Sequence, residues 1–85
     1  MADKVTCMYA KDPIIAPSAF RHGLEAEDIA HAYRQPIDVW TMDDGLIMLI
    51  GPDRSGRVLE IGTILESDAG PVVVHAMPAR RKFLR

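Results

Sequence analysis

Cysteine is almost absent. Cys7 stands alone among 85 residues, so no disulfide can close within the chain. No secretory leader is read at its start, and the two observations together lead to the expectation of a reducing, cytoplasmic setting. Aromatic residues are scarce as well: Tyr9, Phe20, Tyr33, Trp40 and Phe83 are all there are, so the core must be mostly aliphatic. Long apolar runs are missing. The longest, Leu46 to Ile50, is far too short to span a bilayer, and no membrane role is expected. His22, His31 and His75 are widely spaced, no Cys/His cluster has metal-ligand spacing, and no glycine-rich phosphate loop is present. No metal or other cofactor is expected on these grounds. Nor is there an excess of positive charge: the net charge is −2, which argues against a general nucleic-acid binder.

What is present is a single small domain spanning residues 1–85. A chain this short buries about 60–65% of its unfolded surface, so its stability is marginal without a partner. Hydrophobic residues make up 48% of it, more than a small core needs, which points to apolar surface covered by another chain. Charge is distributed unevenly. Glu25, Glu27, Asp28, Asp38, Asp43 and Asp44 face only Arg34 within residues 25–44, whereas the last six residues carry Arg80, Arg81, Lys82 and Arg85 and no acid. A basic tail on an acidic body can hold an anion or stay solvated.

The stretch from Leu46 to Met77 organises the chain. Three runs rich in Ile, Leu and Val alternate with two clusters of turn residues, Pro52-Asp53-Arg54-Ser55-Gly56-Arg57 and Ser67-Asp68-Ala69-Gly70-Pro71. Runs of this length, bounded by Gly, Pro, Asp and Ser, read as strands joined by hairpins. A fourth strand precedes them at Ile37 to Met42, with Asp43-Asp44-Gly45 as the turn. The expected fold is α+β: a small antiparallel meander of three to four strands over residues 37–77, with N-terminal helices from residues 13–35 packed on one face. Within that helical region, Ser18 to His22 reads as one short turn between Pro17 and Gly23. Ala26, Ile29, Ala30 and Tyr33 fall at i, i+3, i+4 and i+7, one stripe of a helix at Glu25 to Arg34. Acidic residues in its first turn suit the helix dipole, and Gln35-Pro36 ends it. Residues 1–12 read as an edge strand or a frayed terminus. Residues 78–85 are a basic segment ending in one helical turn.

A four-residue loop at Ser67 to Gly70 sets Gly62 opposite His75. Leu59, Ile61, Thr63 and Leu65 then share one face with Val72, Val74 and Ala76. Glu60, Gly62 and Ile64 share the other with Val73, His75 and Met77. In this register Glu60 and His75 are diagonal neighbours within reach of each other, and a one-residue slip separates them.

Two segments carry a family resemblance. Arg21-His22-Gly23-Leu24-Glu25-Ala26-Glu27-Asp28-Ile29 resembles the (K/R)-H-G-(I/V/L)-x-x-E-(D/E)-(I/A) opening of BrnT-type toxins and their uncharacterised relatives. Gly51, with Gly56-Arg57-Val58-Leu59-Glu60-Ile61, resembles that family's hairpin, and Val73-Val74-His75-Ala76-Met77-Pro78-Ala79-Arg80 its passage from strand to helix. The resemblance covers Arg21 to Arg85. It implies a RelE/ParE-like fold and the activity of a toxin in a type II toxin–antitoxin pair: an endoribonuclease that works by acid–base catalysis without metal. Its implied partners are an RNA substrate and a cognate antitoxin, with a homodimer as a further arrangement.

Such chemistry needs a base for the 2′-hydroxyl, an acid for the leaving oxygen and cations for the phosphorane charge. Histidine titrates near neutrality in its ordinary state, which makes His75 the acid–base candidate, with Glu60 as a second proton carrier. Arg80 joins them as the catalytic cation, since a forked guanidinium holds phosphate well. Arg57, Arg81, Lys82 and Arg54 are the RNA-binding candidates. Each has a plainer alternative: a histidine satisfied on the sheet face, an exposed strand glutamate, a solvated basic tail and solvent-exposed turn arginines. His22, the residue the family motif carries, reads as structural, bonded near the helix start. Tyr33 and Trp40 either stack a base or pack between helix and sheet.

Two rival readings stay open. In one, the chain is a non-catalytic relative that keeps the fold as a protein-binding or dimerisation module. The acidic balance favours it, as does Tyr9-Ala10-Lys11-Asp12-Pro13 in place of the family's F-x-W-D-x-x-K. In the other, the face around His75 holds a small ligand.

Overall fold

A computed structural model describes residues 13–65, 68 and 70–85. The reading of residues 1–12 lies outside the described residues, as does part of the Ser67–Gly70 loop. The elements run β1 (Ile14–Ile15), a 3-10 turn (Pro17–Phe20), α1 (Ala26–Arg34), β2 (Asp38–Thr41), a 3-10 turn (Asp43–Gly45), β3 (Leu46–Pro52), β4 (Val58–Ile64), β5 (Val72–Pro78) and a 3-10 turn (Arg81–Phe83).

The fold is α+β, but its sheet has five strands and is mixed, in the order β1-β5-β4-β3-β2. The four expected strands form the antiparallel part. The correction is β1, which lies parallel to β5 with Ile14 opposite Val72 and Ile15 opposite Val73. Two residues between Pro13 and Pro17 are too few to show a strand's period of two. Nor is the whole of residues 13–35 helical. Pro17–Phe20 is a single 3-10 turn, and α1 is the one α-helix among the described residues.

Backbone bonding starts α1 one residue later than expected. Glu25 is extended, and its carbonyl accepts from the amides of Asp28 and Ile29. The buried stripe is Ile29, Ala32 and Tyr33, so Ala32 takes the place expected of Ala26, which is exposed. The helix approaches β3 so closely that it requires a glycine. A Cβ at Gly51 would meet the carbonyl oxygen of Ala32 at 2.5 Å and that of Gln35 at 2.9 Å. Both are backbone atoms at the end of α1, with no freedom to move aside. The turn into β3 places Asp44 and Gly45 at φ 63° and 77°, the left-handed geometry that an Asp-Gly pair tolerates.

The sheet is covered on both sides. Ala19, Leu24, Ile29, Ala32, Tyr33, Leu59, Ile61, Val73 and Ala76 form the helix-side core. On the opposite side Phe83 folds back from the C-terminal turn against Met48 and Ile50, with Trp40, Met42, Val58 and Ala79 around them. β4 is therefore central and coated on both faces, and every residue from Leu59 to Thr63 is buried. That places the one glutamate of the strand, Glu60, in the interior.

The expected register holds where it matters for the site: Gly62 lies opposite His75, and Glu60 opposite Met77. It shifts one step further on. Thr63 pairs with Val73, so β5 carries an extra residue, Val74, at a bulge. The bulge reverses the alternation on one side of it. Val73 turns into the helix-side core with Ala76, not onto the face of His75 as an unbroken ladder would have it.

Candidate active site

Glu60 projects from the middle of β4 onto the face covered by the C-terminal turn, and its side chain is 0% exposed. A carboxylate taken out of water must be bonded at both oxygens. His75 Nε2 lies 2.8 Å from Oε2. Arg80 Nη2 donates to Oε2 at 2.7 Å, and Arg80 Nε reaches both oxygens at 3.1 Å. The backbone N–H of Arg80 donates to Oε1 at 2.9 Å. Burial alone would push the Glu60 carboxyl up, but the bonds from Arg80 and His75 outweigh it and hold the group below its ordinary value. The same pairing raises the Arg80 guanidinium.

The positions follow from the fold. His75 comes within reach because β4 and β5 pair with Gly62 opposite it, and Gly62 leaves room: a Cβ there would stand 3.0 Å from His75 Cβ. Arg80 arrives because Pro78 ends β5 and the chain turns back over the sheet, with the amide of Ala79 bonded to the Val58 carbonyl at 3.0 Å. Phe83 anchors that return in the core and lies beneath two cations, Arg80 at 5.5 Å and Lys82 at 5.1 Å from its ring centre.

The arrangement presents a buried anion behind two partly exposed groups. The side chain of His75 is 30% exposed and that of Arg80 46%. Nε2 of His75 is turned to the carboxylate, which leaves Nδ1 for a proton from outside. Glu60 itself, sealed from solvent, cannot exchange a proton with a substrate. Its place is behind the imidazole and the guanidinium, where it fixes both, and this corrects the expectation of Glu60 as a proton carrier. The structure thus brings together His75, Glu60 and Arg80, with exposed Arg81 and Lys82 on the adjoining turn.

Two of the expected RNA-binding residues bond carboxylates outside this group. Arg54 bonds Asp28 at 2.9 Å, Glu27 at 2.5 Å and Glu25 at 2.6 Å, so it clamps the β3–β4 turn to the start of α1. Hydrogen bonds from Arg54 hold the Asp28 carboxyl below its ordinary value. Arg57 Nε donates to the buried Asp53 carboxylate at 3.1 Å, which also accepts from Ser55 N, Ser55 Oγ and Arg57 N. All three side-chain nitrogens of Arg54 face carboxylates, which removes the reason to expect it on phosphate, whereas Arg57 commits only Nε and, like Arg80, keeps an outer edge.

One residue enters that the sequence placed elsewhere. The exposed ring of His22 meets that of His75 edge to face, with centroids 5.9 Å apart. It makes no hydrogen bond at the helix start among the described residues. Its position is set by the Pro17–Phe20 turn, which is fastened to β5 where Ser18 Oγ donates to the Val74 carbonyl at 2.6 Å. That carbonyl belongs to the bulge, and nothing in the linear order of residues signals it. Tyr33 and Trp40 are packing residues: Tyr33 lies in the helix-side core, and Trp40 meets Phe83 edge to face at 5.7 Å, with the Arg85 guanidinium 4.0 Å from its ring centre.

Among the described residues no three His, Cys, Asp or Glu side chains are grouped so as to hold a metal ion, and no helix is long and apolar enough to cross a membrane. Compared with protein-family models, curated proteins and solved structures, the chain matches none of them.

Proposed function

We propose that this chain cleaves RNA as the toxin-like component of a type II toxin–antitoxin pair, with a BrnT-like, RelE-superfamily architecture and acid–base chemistry at His75. One observation carries the reading: a fully buried carboxylate bonded at once to a partly exposed imidazole and a partly exposed guanidinium. Glu60 accepts from Nε2–H and thereby fixes the tautomer whose Nδ1 bears the lone pair. Nδ1 then takes the proton of the ribose 2′-hydroxyl. The 2′-oxygen attacks the adjacent phosphorus, and the phosphorus–5′-oxygen bond breaks to leave a 2′,3′-cyclic phosphate and a 5′-oxygen that takes up a proton to become a hydroxyl. Glu60 stabilises the imidazolium that forms, as a buried carboxylate does behind a catalytic histidine. The outer edge of Arg80, with Arg81 and Lys82 beside it, neutralises the phosphorane. The reaction takes place in the cytoplasm, and an antitoxin covers the basic turn.

Induced expression in a bacterial host, with growth and total RNA followed over time, tests this. Growth arrest with RNA loss in the wild type, absent in His75→Ala and Arg80→Ala, is the expected result. A harmless wild type removes the reading.

A second reading, the non-catalytic binding or dimerisation module, is favoured by a separate observation. Edge strand β2 leaves Val39 49% and its neighbour Ile37 68% exposed, with Leu84 close by at 51%. An open edge with apolar side chains invites pairing with another chain. Light scattering on the purified protein and on its Val39→Lys variant tests it. Self-association by the wild type alone, with no RNA cleavage, would favour this reading over the first.

A further inference from the structure

Resting on that nuclease reading, we infer that His22 is the second proton carrier of the site, the acid that protonates the leaving 5′-oxygen. Cleavage through the 2′-oxygen requires two proton transfers on opposite sides of one phosphorus: one away from the 2′-hydroxyl and one onto the 5′-oxygen. His75 can perform only the first while Glu60 holds its Nε2. Glu60 is sealed from solvent, and Arg80 holds its protons too tightly to give one up. A site built from those three residues alone therefore lacks an acid.

The imidazole of His22 fills that gap. It stands 5.9 Å from His75, centroid to centroid, at an interplanar angle of 81°, so one phosphate can lie within reach of both rings. No carboxylate backs it: neither an ion pair nor a side-chain hydrogen bond engages it among the described residues, which leaves both nitrogens open. It is exposed, whereas a histidine kept for packing is ordinarily enclosed. The two imidazoles thus differ in their surroundings, one fixed by a buried anion and the other free, as a base and an acid in one site need to. In the step itself His75 Nδ1 gains the 2′-proton while the 2′-oxygen–phosphorus bond forms. The phosphorus–5′-oxygen bond breaks as protonated His22 gives its proton to that oxygen. Exchange with water resets both rings.

A leaving-group substitution isolates this role. An oligoribonucleotide is first cleaved by the wild-type protein to map the scissile linkage. The same oligonucleotide is then made with sulfur bridging in place of the 5′-oxygen at that linkage, because a thiolate departs without a proton. His22→Ala and His22→Gln are expected to lose about 10²-fold or more on the oxygen substrate and to come within about 10-fold of wild type on the sulfur substrate. His75→Ala is expected to be slow on both. Circular dichroism checks that the His22 variants keep the fold. If they cleave the oxygen substrate at the wild-type rate, or stay equally slow on both substrates, His22 is not the acid. If His75→Ala is also inactive on both, the nuclease reading survives that failure. A wild-type protein that cleaves no RNA overturns both.

Discussion

Glu60 and His75 sit diagonally across β4 and β5, and the carboxylate of the first holds Nε2 of the second at 2.8 Å. Everything proposed for the site depends on this pair. Replacing Glu60 by Gln keeps the shape but removes the charge, and the amide can present N–H to His75 and reverse the tautomer. RNA cleavage should fall by about 10²-fold or more. Stability should fall by about 1–3 kcal/mol, the usual range for hydrogen bonds to a buried charged group. Cleavage assays beside thermal melts of Glu60→Gln check both; a variant that melts earlier yet cleaves normally would leave Glu60 a purely structural part.

Acid should unfold the protein through the same residue. The Glu60, Asp28, Asp38 and Asp53 carboxyls are all held below their ordinary values in the folded chain. A group lowered on folding contributes stability that is full above its unfolded value, near 4, and is lost as pH falls through the lower native one. Melting temperature should be level from neutrality to about pH 5 and then drop toward pH 2. Glu60→Gln should start lower and drop less steeply. Parallel curves for the two proteins would show that Glu60 takes no part.

Gly51→Ala should be among the most damaging single-methyl changes. Its Cβ would press on the carbonyls of Ala32 and Gln35, and the helix cannot yield without leaving β3. A loss of about 1–3 kcal/mol is expected, which for a domain of this size lowers the melting temperature by about 4–8 °C for each kcal/mol. An unchanged melt would mean that α1 does not rest on β3 at this distance.

Gly62→Ala probes the site from behind. The added methyl would lie 3.0 Å from His75 Cβ and 3.5 Å from Leu46 Cδ1, so His75 must shift by a few tenths of an ångström. A displacement of about 1 Å can cost about 10²-fold in rate, and this smaller one should cost about 10-fold. The comparison is cleavage rate against melting temperature, since unfolding alone would move the second and leave the rate per folded molecule intact.

Much of this geometry was legible in the order of residues. The turn clusters define β3, β4 and β5, and the expected pairing of Gly62 with His75, which brings Glu60 and His75 together, is found, but by way of the β5 bulge: nearer the loop Thr63 pairs with Val73 and Ile64 with Val72, one step from the expected register. The covering of both sheet faces was not legible. Phe83 closes the second face from a turn of three residues, too short to carry a periodic signal, and that covering turns Glu60 from an exposed strand residue into a buried anchor. β1 carries no signal in the sequence because it is two residues long and lies between prolines. The β5 bulge was hidden because nothing in Val72-Val73-Val74 distinguishes the unpaired residue. With the bulge went the Ser18–Val74 bond that carries His22 to His75. Arg54 and Arg57 read as free turn cations because their carboxylate partners are set by the tertiary fold for Arg54 and by a buried Asp53 for Arg57.

The most direct test of the central claim is product analysis with purified protein. A short oligoribonucleotide and its all-deoxy counterpart are incubated with the wild type and with His75→Ala, and the cleaved ends are identified by mass. The account predicts a 2′,3′-cyclic phosphate and a 5′-hydroxyl from RNA with the wild type, nothing from DNA, and little from His75→Ala. Intact RNA with the wild-type protein, or cleavage that persists unchanged in His75→Ala, would contradict it.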